Sequence, residues 1–127
     1  MVLDELVRNA FENGVLEKPD EFRNALKARE NIVSTGIGLG VAVPHAKLPD
    51  IKAFFTSIAI LKDKVDWDAI DQALVNIVFL IGGPDNQQTE YLKLLSKIIL
   101  LIKNPGRRNT LLKCKTQEET LALFENL

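Results

Sequence analysis

The sequence predicts an α/β fold: one domain with a small mixed β-sheet flanked by helices. Two nearly continuous apolar runs, Phe54–Leu61 and Val75–Ile81, have the length and composition of strands covered on both faces. Helical spacing of apolar residues occupies both ends of the chain and leaves the middle rich in strands. The 127 residues amount to one ordinary domain, with no repeat, low-complexity stretch or linker, so a single domain over 1–127 is expected.

Val2, Leu3, Leu6, Val7, Ala10 and Phe11 fall at helical spacing, and Asn13-Gly14 stops that helix. Pro19 suits the first position of a second amphipathic helix, marked by Phe22, Ala25, Leu26 and Ala28 and ending near Arg29-Glu30. Ser34–Gly40 carries three glycines at alternate places, which suits tight turns and close backbone approach. Val41-Ala42-Val43 reads as a short buried strand that stops at Pro44. After the first long strand, Asp63–Asp68 reads as a turn into an edge segment. Gly82-Gly83-Pro84-Asp85 ends the second, and Asp85 or Asn86 is placed to cap the next helix. The apolar residues of that helix, Leu92, Leu94, Leu95, Ile98, Ile99 and Ile102, are broad enough for a well-buried helix, and Asn104-Pro105-Gly106 breaks it. Two shorter helices follow, about Arg107–Lys113 and Gln117–Asn126, the second with a capping-box spacing of Thr116 and Glu119.

Sixteen Lys and Arg against seventeen Asp and Glu leave a net charge of −1, which gives no reason to expect nucleic acid or an anionic membrane as partner. Cys114 is the only cysteine, so no intrachain disulfide forms, and a buried or half-buried free thiol in a reducing compartment is expected. Asp4 and Glu5 interrupt the first segment too early for a signal peptide. The longest apolar run, Ile98–Ile102, is too short to span a bilayer. A cytoplasmic protein, or the cytosolic piece of a larger one, is expected, with no direct membrane insertion.

His45 is the only histidine. It follows a buried strand and lies near glycine turns and the hydroxyls of Ser34 and Thr35, with Arg29 and Lys47 close in sequence. Glycine turns expose N–H groups that hold phosphate, strand ends in α/β domains meet ligands, and a neutral imidazole is a usable nucleophile. These are the parts that histidine phosphorylation needs. Taken alone, a single histidine is more often a structural hydrogen-bonder or a surface residue, and Arg29 reads as well as half of a surface ion pair. A metal site is disfavoured, because the only cysteine is 69 residues away and no second histidine exists. Gly36-x-Gly38-x-Gly40 has the wrong spacing for a dinucleotide loop and precedes a strand rather than a helix. Ser34 lacks a local base for hydrolase chemistry.

Glu30, six positions, Ile37-Gly38, two positions, then Val41-Ala42-Val43-Pro44-His45-Ala46 resembles a known active-site signature. It is that of the fructose/mannitol type (type 2) of enzyme IIA in the sugar phosphotransferase system (PTS), a class that includes nitrogen-regulatory members. Val65-Asp66-Trp67-Asp68, Ile77–Leu80, Tyr91–Leu95 and the last helix continue the resemblance in order. It implies a phosphotransferase/anion-transport-protein-like fold and no cofactor. It also implies that His45 accepts a phosphoryl group from HPr or its nitrogen-branch relative and passes it to enzyme IIB. Arg29 would help neutralise the phosphate, with Ser34 and Thr35 beside it. The alternative is a regulatory module whose phosphorylation state controls a partner protein. Three positions depart from the family. Tyr91 stands where a second histidine is usual, Leu39 where asparagine is common, and the N-terminus is short for the family. Tyr91 is expected in the second turn of its helix, close to His45 and the phosphate. The turn Gly38-Leu39-Gly40 is expected to lie exposed beside His45 as a docking surface for the donor.

Overall fold

The computed structural model describes residues 2–125, in two compact units, Met1–Gln87 and Gln88–Leu127. The first unit opens with α1 (Val2–Glu12) and α2 (Pro19–Ile32), with Pro19 at the start of α2. Its strands are β1 (Gly36–Gly38), β2 (Val41–Ala42), β3 (His45–Lys47), β4 (Phe55–Val65) and β5 (Val75–Gly83). The sheet is mixed, as expected. β2 and β3 run parallel to β5 along one of its edges, β4 runs antiparallel along the other, and β1 pairs antiparallel with β2.

The core of this unit lies between the two helices and one face of the sheet. Leu6, Val7, Ala10, Phe22 and Leu26 pack with Ala42, Ala46, Val75, Val78 and Leu80. Ile77, Phe79 and Ile81 alternate onto the opposite face and are also buried, so β5 is covered on both sides as its nearly continuous apolar run predicts. β4 departs from the expectation. It pairs with β5 alone among the described strands and is mostly half-buried or exposed, so it is an edge strand. It also runs through Asp63 and Lys64, where the sequence suggests a turn, because the ladder resumes at Val65↔Val75 after an irregularity. α2 continues past Arg29-Glu30 to Ile32.

The hairpin between β1 and β2 holds Leu39 at φ 59°, between Gly38 and Gly40, whose φ values are also positive. A left-handed backbone crowds any side chain with a Cβ, and asparagine tolerates it better than leucine. Asp71 fastens the turn by accepting the Leu39 N–H at 3.1 Å. Leu39→Asn is expected to raise stability by about 0.5–1 kcal/mol, read from thermal unfolding. A lower melting temperature would mean that the half-exposed leucine packs more than it strains.

The second unit holds α3 (Gln88–Lys103), α4 (Pro105–Lys113) and α5 (Gln117–Glu125). Asn104 caps α4 by accepting the Arg107 N–H at 3.0 Å, and the Thr116 hydroxyl accepts the Glu119 N–H at 3.2 Å, as the capping-box spacing predicts. Asn126, read from the sequence as the end of the last helix, lies outside the described residues. Asp85 and Asn86 form a turn and α3 begins at Gln88, so Tyr91 sits in its first turn rather than its second. No helix among the described residues is long and apolar enough to cross a membrane.

Candidate functional site

Pro44 has no N–H, and the strand beside β5 is interrupted there. The chain does not stop: it re-enters the sheet at once as β3, whose first residue is His45. The register is His45↔Ile81, and Pro44 O accepts the Ile81 N–H at 2.9 Å. The histidine therefore begins a strand, at the carboxyl end of the parallel pair, where α/β sheets present their ligands.

The imidazole is half-buried and its Nδ1 lies 3.0 Å from the carbonyl of Val43. A carbonyl only accepts, so Nδ1 carries the proton and donates, and Nε2 of the neutral ring keeps its lone pair. Burial pushes the ring's pKa below the ordinary histidine value. The Val43 bond acts the other way, Arg29 and Lys47 add to the depression by their charge, and Glu30 opposes them. The ring is thus held through Nδ1 at the Val43 carbonyl, with a pKa lowered by burial and by the charges of Arg29 and Lys47.

Arg29, in the last turn of α2, donates from its guanidinium to Val33 O at 2.7 Å. Thr35 is buried; its N–H lies 3.1 Å from the Glu30 carboxylate, and its hydroxyl also donates to that carboxylate. Ser34 donates its hydroxyl to Trp67 O and accepts the Gly36 N–H at 3.0 Å. Both hydroxyl hydrogens are committed to the protein, so either side chain would have to leave its partner to donate to a phosphate. The structure thus brings His45, Arg29, Ser34 and Thr35 into one unit. Tyr91 belongs to the other, half-buried at the start of α3.

The Gly38-Leu39-Gly40 turn is not beside His45, and that expectation is corrected. Val41 pairs with Ile77 and His45 with Ile81, so the turn lies beyond the opposite end of β5, on the order of 13 Å or more away along the strand. What reaches back toward His45 is the start of β1, through the bond from Val43 N–H to Thr35 O at 2.9 Å.

Two contributors escaped the sequence reading. Glu30 figured only as the opening of the signature, yet its carboxylate gathers Thr35 and the Trp67 indole N–H, the latter at 3.3 Å. Trp67, the only tryptophan, lies 37 residues from Glu30, and no local pattern links them.

A mixed sheet with the only histidine of the sequence at its carboxyl edge defines a class of α/β protein, and the comparisons narrow it. The chain belongs to the family described as "Phosphoenolpyruvate-dependent sugar phosphotransferase system, EIIA 2", which matches residues 1–127. It is 30% identical to the PTS system fructose-specific EIIABC component of Bacillus subtilis (strain 168), over 97% of this chain and 19% of that protein. It is 34% identical to the PTS system fructose-like EIIA component of Escherichia coli (strain K12), over 76% of this chain and 66% of that one. Among solved structures, the nitrogen regulatory protein IIA-Ntr from Neisseria meningitidis superposes with a TM-score of 0.88 at 28% identity, over 97% of this chain and 84% of that one. IIA mannitol from Escherichia coli shares the fold, with a TM-score of 0.76 at 16% identity over 97% and 86% of the two chains. The chain spans only a fifth or less of the multidomain relatives it matches, at 19% of the Bacillus subtilis protein and 14% of a multiphosphoryl transfer protein of Shigella flexneri.

Proposed function

We propose that this chain is a cytoplasmic phosphocarrier that accepts a phosphoryl group on Nε2 of His45 from HPr or a nitrogen-branch carrier and passes it to enzyme IIB. The observation that carries this reading is the 3.0 Å contact from His45 Nδ1 to Val43 O, which leaves Nε2 as the nucleophilic nitrogen. Nε2 attacks the phosphorus of the donor's phosphohistidine. The new N–P bond forms as the donor's N–P bond breaks, and the electron pair of the broken bond returns to the donor imidazole. His45 keeps its Nδ1 proton throughout. The ring gains positive character as Nε2 bonds phosphorus, and the Val43 carbonyl stabilises that charge. Arg29 offsets the charge of the transferring group, the main demand such a reaction makes of a protein. Exposed Ile32 and Val33, between Arg29 and Ser34 in sequence, supply apolar surface for a transient donor contact.

The test is incubation with phosphoenolpyruvate, enzyme I and HPr, followed by intact-mass analysis. One phosphoryl group per chain is expected, labile in acid and stable in base as a phosphoramidate is. No adduct with either HPr or the nitrogen-branch carrier would overturn the reading.

A second reading, a regulatory module whose phosphorylation state controls a partner protein, is favoured by Tyr91. A tyrosine offers phosphate a neutral hydrogen bond, since its reference pKa is about 10, whereas a second histidine can offer a charged one. Tyr91→His tests the sequence expectation that residue 91 bears on the phosphate: a change of more than about threefold in the phosphorylation rate or the phosphoprotein's hydrolysis half-life would support it. If both rate and half-life stay within twofold of the parent, the tyrosine carries no mechanistic weight.

A further inference from the structure

Glu30 has no role in the chemistry described so far, yet it is the most heavily engaged carboxylate near the site. It accepts from the N–H and hydroxyl of Thr35, and from the indole N–H of Trp67, which lies 3.3 Å from both the carboxylate and the Thr35 hydroxyl. Thr35 is only 4% exposed, too buried for water to replace these bonds easily. The next bond runs from Val43 N–H to Thr35 O at 2.9 Å, and the one after from His45 Nδ1–H to Val43 O at 3.0 Å. Trp67, Glu30, Thr35, Val43 and His45 thus form one line of contacts. The segment is also clamped from outside. Ser34 donates to Trp67 O, Gly36 O accepts the Ile70 N–H at 3.2 Å, and a Cβ on Gly36 would come within 2.8 Å of the Ala69 backbone.

We infer that Glu30 is a positioning residue for His45: gripping Thr35, it holds the Val43 carbonyl where it fixes the imidazole as the Nδ1–H tautomer. The link is mechanical. It passes through the Cα atoms of Thr35 and Val43, so it transmits position and no proton moves along it. An outer carboxylate that orients a reactive histidine is a common device, and its loss typically costs 10–100-fold in function. The charge of Glu30 also reaches His45, opposing the charges of Arg29 and Lys47, so position and charge must be separated by experiment.

The inference rests on the phosphocarrier reading for its effect on rate, but its structural content can be tested without any transfer. His45 is the only histidine, so its two ring nitrogens are resolved without ambiguity in a nitrogen-15 NMR spectrum of the unphosphorylated protein. The parent is expected as the Nδ1–H form. Glu30→Ala should move the ring into a mixture containing the Nε2–H form and lower the acceptance rate by about tenfold or more. Glu30→Gln removes the charge but keeps an oxygen acceptor, and should restore most of the parent's tautomer and rate. If Glu30→Ala does not fold, Thr35→Val, which deletes one contact to the carboxylate at nearly constant volume, should shift the tautomer in the same direction. Folded variants that keep the parent's tautomer would overturn the role assigned to Glu30. A parent that never accepts phosphate would instead overturn the phosphocarrier reading, and the tautomer result would stand apart from it.

Discussion

His45→Ala is expected to reduce phosphoryl incorporation below about one-thousandth of the parent rate while leaving the fold intact. The imidazole is the only one in the chain, and a neutral imidazole is a far better nucleophile at physiological pH than the hydroxyls of Ser34 and Thr35. The strand beneath it is held by main-chain bonds on both sides, Ile81 N–H to Pro44 O at 2.9 Å and Leu48 N–H to Gly83 O at 3.0 Å, which the substitution does not touch. A half-buried ring can therefore be removed at about 1 kcal/mol or less. Intact mass and thermal unfolding give the two readouts, and normal labelling of the variant would sink the assignment. The pH profile of the parent adds a second check. Only the neutral ring accepts phosphate, and burial lowers its pKa, so acceptance should stay level as pH falls toward about 6.5 and decline only below it. The unfolded chain binds the proton more readily, so the same group makes the folded state less stable as pH falls through that window. His45→Ala should lack this part of the acid sensitivity.

Arg29→Gln carries the second large effect, a fall in acceptance rate of roughly 100-fold, or about 2.7 kcal/mol in the barrier. The guanidinium is held by Val33 O at 2.7 Å, and its charge reaches His45. Removing it takes away a positive charge from a reaction that brings negative charge to the imidazole. The same substitution should raise the pKa of His45, because Arg29 is one of the groups that lower it. Arg29→Lys keeps the charge without the planar fork and should fall between the two. A variant with both the parent's rate and the parent's histidine pKa would show that Arg29 only closes the end of α2.

The parts of this protein governed by local pattern were legible in its sequence. The nearly continuous apolar run of β5, the helical spacing of α1 and the Thr116 cap appear where the pattern places them; α3 forms too, but Leu92 is exposed and its buried residues are Ile98, Leu101 and Ile102. Distant pairing was not legible. β4 has an apolar run almost as complete as that of β5, and only the ladder shows that one is an edge and the other central. Pro44 looked like a stop because it cannot donate, but the edge of β5 offers a second pairing site just beyond it. The glycine turn is close to His45 in sequence and far in space, because β2 is extended and carries the chain away from it. At the site, family resemblance singled out His45, Arg29, Ser34 and Thr35. It could not show that Thr35 turns to Glu30, since that arrangement depends on Trp67, more than thirty residues on.

β2 and β3 lie end to end along the same edge of β5, with His45 at the start of the second. A carrier built this way has no hinge under its loaded group. On the phosphocarrier reading, loading would add about two negative charges to a surface whose backbone is expected to stay where it was, so a partner would read charge rather than shape. The amides of Ile81 and Leu48 should exchange equally slowly in both forms. A partner's preference for one form should narrow as ionic strength rises, since salt screens exposed charge but does not erase a change of conformation. Slower or faster exchange at those amides after loading would mean that the signal travels through the sheet instead.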